Sequence, residues 1–285
     1  MDDLRAAERG QALCGVLLAA GEGMRLRPLT ASLPKALCPV GNVPLLDRGL
    51  ARLSGHSLGG PDLVAVNACY LADRIVAHVG DRAHVSIEPG PPALGTAGAL
   101  ANLRGWIAGR AVLVGNADAY LGGDPATDLL PLLDGWDGST VRLLTVPAGD
   151  RPAEFGPHRF AGFSLLPAAV VAGLPRQRSD LVREVWRPAE RDGRLEVVEY
   201  RGVYLDTGTP ADLLAANLHA AGPAGLVAPD AVVTGRVARS VVGAGARVHG
   251  SLTRCVIFPD GYVEAGEHLV DAIRVGRDVT VPGRG

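Results

Sequence analysis

Leu13-Cys14-Gly15-Val16-Leu17-Leu18-Ala19-Ala20 is an apolar run that opens directly into Gly21-Glu22-Gly23-Met24-Arg25-Leu26-Arg27-Pro28-Leu29-Thr30 and reaches Pro34-Lys35 a few residues on. The run reads as a buried strand ending at Ala20. Two glycines one residue apart then let the backbone turn sharply and bring its N–H groups against a polyanion with no Cβ in the way. Arg25, Arg27 and Lys35 add three positive charges to the same stretch. Point charges neutralise a triphosphate while oriented amides fix its geometry, so the stretch reads as a phosphate-holding loop. Spacing excludes two familiar alternatives. A P-loop needs four residues between its glycines and a Lys-Ser/Thr after them, and a dinucleotide fingerprint needs a third glycine beyond the second.

Around this loop the chain is 285 residues long, enough for a large core and about two domains. With 28 basic and 30 acidic residues the net charge is −2, so no global field points to nucleic acid or an anionic membrane, and any anion site is local. Cys14, Cys38, Cys69 and Cys255 are far apart and form no CxxC pair, which fits thiols in a reducing cytosol better than a disulfide or zinc framework. Residues 1–11 lack the features of a signal peptide and read as a flexible N-terminal extension. No run approaches the length of a membrane span. A cytoplasmic protein with neither nucleic acid nor membrane as partner is expected.

Apolar runs at Leu13–Ala20, Leu63–Val66, Val85–Ile87, Ala111–Gly115 and Val141–Val146 read as buried strands. Pro44–Leu53, Leu71–Val79, Ala97–Trp106 and Ala126–Leu133 read as the helices between them. That alternation predicts an α/β fold with a mainly parallel sheet over residues 12–222, with ligands at the carboxyl ends of the strands. Chemistry-bearing residues do follow the runs. Gly95 and Gly98 flank a helix start whose N–H groups would be available to a ligand, and Asp118 and Asp206 each follow a β-type run. A carboxylate at a buried strand end is costly unless paired, capped or metal-bound, so each reads as a cap or as a metal ligand. Over residues 226–285 the texture changes. Val242 to Val248, Ile257 to Val263, Val263 to Leu269 and Val275 to Val281 keep a spacing of six, the hexapeptide signature of a β-helix. Few coils fit there, so the stack is expected to lean on the first domain or on another subunit, making a homo-oligomer the expected assembly.

The opening stretch, LAAGEGMRLRPLT followed by PKALCPVGNVPLLD, resembles the signature of the sugar-1-phosphate nucleotidylyltransferases, LAAG-x-G-(T/S)-R-L-x-P-L-T with P-K after it. The resemblance implies a Rossmann-like mixed, mainly parallel sheet nucleotidyltransferase domain followed by a short left-handed parallel β-helix. It implies transfer of a nucleoside monophosphate from a nucleoside triphosphate to a sugar 1-phosphate, giving an NDP-sugar and pyrophosphate, with Mg²⁺ as cofactor. Carried onto this chain, Ala20, Gly21, Gly23, Gly95, Thr96 and Gly98 bind the nucleotide. Arg25 takes the β- and γ-phosphates, Lys35 the α-phosphate or sugar phosphate, and Asp118 and Asp206 the metal. The segment Leu94–Leu100 is similar to the family's LGTAGAL, and Tyr204-Leu205-Asp206-Thr207-Gly208-Thr209-Pro210 to its W-x-D-x-G-T-P.

Two departures stand out. Met24 occupies a position where Thr or Ser is usual, and the Glu-Lys-Pro segment that supplies a sugar-phosphate lysine is absent between Phe155 and Phe163. By comparison with the shorter N-acetylmuramate-1-phosphate uridylyltransferases, Arg201 and then Arg159 are the substitute phosphate ligands, with Gly162 beside them. The same departures motivate a second reading, a catalytically weak or inactive relative that binds an NDP-sugar and regulates a partner.

Overall fold

A computed structural model describes residues 12–283; the N-terminal extension expected over residues 1–11 lies outside the described residues. The chain divides into two compact units. The first holds residues up to Gly21 together with Arg48–Tyr204, and the second holds Glu22–Asp47 together with the residues from Leu205 onward.

The first unit is built on β1 (Leu13–Leu18), β2 (Val64–Ala68), β3 (His84–Ile87), β4 (Ala111–Asn116), β5 (Val141–Pro147), β6 (His158–Leu166) and β7 (Leu195–Glu199). They form one sheet in the order β7-β5-β6-β4-β1-β2-β3. Every pairing is parallel except those of β6, which runs antiparallel to both β4 and β5. The mainly parallel sheet read from the alternation is therefore present, with two strands the reading left out. β1, β2 and β4 are largely buried on both faces, as strands flanked on both sides must be. On one face Cys14, Val16, Val112 and Val114 pack with Leu100, Ile107, Val171 and Trp186. Burying each large apolar side chain contributes about 1.5–3 kcal/mol. Burial also pushes the Cys14 thiol up to about 11, which makes it a packing group and not a nucleophile.

Two helices differ from expectation. The helix read over Ala97–Trp106 is two pieces, Gly95–Asn102 and Arg104–Ile107, broken at Leu103. The helix read over Ala126–Leu133 is one turn, Leu130–Leu133; before it the Asp124 side chain accepts from the Ala126 N–H, and tight turn bonds run from the Thr127 N–H to Asp124 O and from the Leu130 N–H to Thr127 O.

In the second unit the helix Pro210–Ala221 is capped by Thr209, whose hydroxyl accepts from the Asp212 N–H at 3.2 Å. Asn217, fully buried on that helix, accepts from Gly41 N at 2.9 Å and donates to Pro39 O at 3.0 Å. Asn42 then donates to Val242 O at 2.9 Å, tying the Pro39–Pro44 hairpin to the C-terminal strands. Those strands form a parallel β-helix with three stacked columns: Val227, Val242 and Ile257; Val233, Val248 and Val263; Val237, Leu252 and Leu269. The last hexad was misread. Val275 and Val281 do not begin a further coil; Ala272–Val275 and Val279–Pro282 form an antiparallel hairpin around Gly276, with Ile273 opposite Val281. Two facing strands joined by a tight turn produce the same spacing of six as one coil side.

Candidate active site

In the first unit β1 and β4 run side by side in register, Leu18 against Asn116, and the Ala117 N–H donates to Leu18 O at 3.0 Å. The chain goes from β1 to β2 and β3 on one side and places β4 on the other, so the strand order reverses between β1 and β4. Open α/β sheets bind ligands in the crevice at such a reversal. Ala20 and Gly21 leave β1 there, and Ala117 and Asp118 leave β4. Gly21 is exposed, and among the described residues no atom lies within 4 Å of where a Cβ would project. Asp118 is half-buried.

The helix start at Gly95 is less open than its sequence suggests. The N–H groups of Ala97 and Gly98 donate to Ser179 O at 3.1 and 3.3 Å, and Thr96 Oγ1 accepts from the Leu181 N–H at 2.8 Å. A Cβ on Gly98 would lie 2.8 Å from Gln177 O, so this glycine admits the 177–179 backbone. The expectation of N–H groups available to a ligand there is corrected for Ala97 and Gly98, whose N–H groups are taken by the segment before Leu181.

Thr96 and Asn116 also line a cavity of about 430 Å³ whose walls include Phe155, Phe160, Ser164 and Trp186. Ser164 Oγ and Trp186 Nε1 are buried and have no hydrogen-bond partner among the described residues, a costly arrangement for buried polar atoms. Trp186 ends a π-type turn, Val182–Trp186, a geometry frequent at functional sites. Farther along β6, Gly162 has φ +86° and stands against Ala119, the residue after Asp118. The Arg159 guanidinium lies over the Tyr204 ring, 4.9 Å from its centre. Like Arg159, Arg201 does not line this cavity. It is exposed and lines a separate cleft with Asp128, Glu199 and Tyr200.

In the second unit Gly23 adopts φ +62°, and its carbonyl accepts from the Leu26 N–H at 2.9 Å and from Thr30 Oγ1 at 2.8 Å. A Cβ there would press on Thr30 and on the Lys35 stem at 3.0 and 3.1 Å. The glycine thus lets the loop close on Thr30 and Lys35 while Arg25 and Met24 stay exposed. Asp206 and Arg25 both reach Gly208. Among the described residues no group of three or more His, Cys, Asp or Glu is placed to hold a metal ion, and no helix is long and apolar enough to cross a membrane.

Sequence reasoning missed two buried polar networks in the first unit. Asn67 and Glu88, each 4% exposed, are joined at 2.6 Å. Arg52, Asp128 and Tyr200 are joined by Arg52 Nε to Asp128 Oδ2 at 3.0 Å and Tyr200 Oη to Asp128 Oδ1 at 3.1 Å. The available signal was a polar residue inside or just after an apolar run, as in Val64-Ala65-Val66-Asn67-Ala68.

Comparison with known proteins agrees with this geometry. The chain is 29% identical to a mannose-1-phosphate guanylyltransferase of Mycobacterium tuberculosis, over 88% of this chain and 81% of that protein. It is 25% identical to an N-acetylmuramate alpha-1-phosphate uridylyltransferase of Caulobacter vibrioides, over 71% of this chain and 94% of that protein. A solved Bacillus anthracis structure assigned as a glucose-1-phosphate thymidylyltransferase shares the fold, with TM-score 0.60 and 19% identity over 73% of this chain and 95% of that one. Residues 14–156, which carry the glycine loop, the Gly95 helix start and Asp118, match the nucleotidyl transferase family, and the chain belongs to that family.

Proposed function

We propose that this chain transfers a nucleoside monophosphate from a nucleoside triphosphate to a sugar 1-phosphate, releasing pyrophosphate, and that it uses Mg²⁺. The observation that carries the reading is the parallel register of Leu18 with Asn116 at the sheet reversal, from which the chain enters both the glycine loop and the turn bearing Asp118. A phosphate oxygen of the sugar 1-phosphate attacks the α-phosphorus in line. The new P–O bond forms as the bond to the α–β bridging oxygen breaks, and pyrophosphate leaves with that electron pair. A phosphate monoester is already anionic near neutral pH, so no side-chain nucleophile is needed. Catalysis lies in aligning two mutually repelling anions and neutralising their charge.

Arg25 is assigned to the β- and γ-phosphates and Lys35 to the α-phosphate or the sugar phosphate. The cavity beside Thr96 and Asn116 takes the sugar, whose flat C–H face suits aromatic walls. Arg201 and Arg159 are assigned to the sugar phosphate, and neither lines that cavity. Asp118 and Asp206, the residues assigned to the metal, are each half-buried, and a carboxylate offers the hard oxygen donor that Mg²⁺ takes. When bound, the ion would supply positive charge at the phosphate oxygens.

The test is pyrophosphate release in Mg²⁺ across a grid of the common nucleoside triphosphates and hexose 1-phosphates, including GTP with mannose 1-phosphate and UTP with amino-sugar phosphates. One strong combination identifies the reaction. Silence across the grid, with nucleotide or NDP-sugar binding retained by calorimetry, would overturn the reading in favour of a regulatory relative.

A further inference from the structure

A relay of hydrogen bonds in the first unit joins two segments of the chain that lie far apart in sequence. The Ala19 N–H donates to Asn67 Oδ1 at 2.7 Å, Asn67 Nδ2 donates to Glu88 Oε1 at 2.6 Å, and the Leu94 N–H donates to Glu88 Oε2 at 2.7 Å. Each side-chain oxygen and nitrogen of the pair is used. At one end of the relay is Ala19, followed at once by Ala20 and Gly21; at the other is Leu94, followed by Gly95 and Thr96. Between Glu88 and Leu94 run Pro89, Gly90, Pro91, Pro92 and Ala93, which belong to no strand or helix, so Glu88 closes the far end of a segment that no ladder restrains.

We propose that Asn67 and Glu88 are positioning residues for the nucleotide: through the relay they set the separation between the Ala20–Gly21 turn and the Gly95–Thr96 helix start. The inference rests on the nucleotide-transfer reading and deepens it. Core packing gives no reason for the pair, since Asn67 stands among the buried residues Ala65, Val66 and Ala68, where an apolar side chain would be cheaper to bury. What the polar pair adds is geometry. Asn67 and Glu88 are each 4% exposed, so water is a poor substitute for a lost partner, and the pair holds the two backbone amides at one spacing.

Reciprocal substitution tests this. In Glu88→Gln the new amide N–H₂ faces either Asn67 Nδ2 or the Leu94 N–H, donor against donor. In Asn67→Asp a second carboxylate faces Glu88. In the double variant the aspartate at 67 accepts from Ala19 and from the glutamine at 88, whose oxygen still accepts from Leu94, so all three bonds return with one reversed in direction and net charge unchanged from wild type. Each single variant is expected to raise KM for the nucleoside triphosphate about tenfold, with kcat changed far less, and the double variant to return KM to within about threefold of wild type. If a single variant does not fold, Glu88→Asp, which keeps the charge and shortens the reach, replaces it with the same expected rise in KM. Lowered melting temperatures with KM unchanged would overturn the proposal and leave the pair a purely structural contact, and so would singles and double that are equally impaired. Absence of transfer by the unaltered protein on every substrate pair would instead overturn the functional reading and this inference with it.

Discussion

The guanidinium of Arg25 and the carboxylate of Asp206 close on the same backbone atom: a Cβ built on Gly208 would lie 2.6 Å from Arg25 Nη2 and 3.1 Å from Asp206 Oδ1. A cation assigned to the phosphates and a carboxylate assigned to the metal thus both depend on one missing methyl group. Gly208→Ala must push at least one of them aside. A displacement of about 1 Å at a reacting centre costs on the order of a hundredfold in rate, so kcat/KM should fall by about that factor while the melting temperature changes little. Steady-state pyrophosphate release beside a thermal melt checks it, and unchanged kinetics would remove both residues from the chemistry.

Asp118→Asn separates the two functional readings. The substitution keeps size and removes the charge that a dication needs. Transfer should fall by about a thousandfold or more, and the residual rate should lose its dependence on Mg²⁺ concentration. A Mg²⁺ titration of wild type and variant measures both. Retention of the wild-type Mg²⁺ response by the variant would show that the ion is held without this carboxylate.

The glycine loop was legible because its chemistry is local: Gly21, Gly23, Arg25, Thr30 and Lys35 fall within one short stretch, and the sharp turn at Gly23 depends on no distant strand. The β-helix was legible for a related reason, since Val242, Val248, Ile257 and Val263 repeat a spacing that the stacked strands impose. What escaped notice depends on partners remote in sequence. Nothing near Asn67 announces that its amide meets Glu88, and nothing near Asp128 announces Arg52 and Tyr200. β6 was hidden because Gly162 and Ser164 interrupt its apolar pattern, although the strand is what brings Ser164 to the cavity and Gly162 to Ala119.

The Arg52–Asp128–Tyr200 network makes a stability prediction. Arg52 and Asp128 side chains are 2% and 5% exposed, so Asp128→Ala leaves a buried guanidinium without its counter-charge and should cost about 3–5 kcal/mol, read by urea unfolding. Tyr200 adds a dependence on pH. Burial first, and then the Asp128 charge, push its hydroxyl up to about 12 from an ordinary value near 10. A group whose folded pKa is raised contributes stability fully below its unfolded pKa and loses it as pH climbs toward the folded one. The contribution of Tyr200 should therefore be intact below about pH 10 and lost between about 10 and 12, and Tyr200→Phe should remove that alkaline loss. A Tyr200→Phe variant that loses stability over the same alkaline window as wild type would contradict the assignment.

Gly162 lets the backbone of β6 approach Ala119, which opens the short strand Ala119–Leu121 after Asp118. With φ at +86° it adopts a conformation that side chains resist, and a Cβ would run into the methyl group of Ala119. Gly162→Ala therefore carries two separable penalties, backbone strain of about 1–3 kcal/mol and displacement of Ala119. Adding Ala119→Gly removes the second penalty and leaves the first. The single variant should lose both stability and activity, while the pair should recover most of the activity and remain less stable than wild type. Pyrophosphate release and a thermal melt on the same preparations resolve the two effects. If activity does not return when the space at Ala119 is restored, then the strain at Gly162, and not the position of the residue after Asp118, is what the reaction senses.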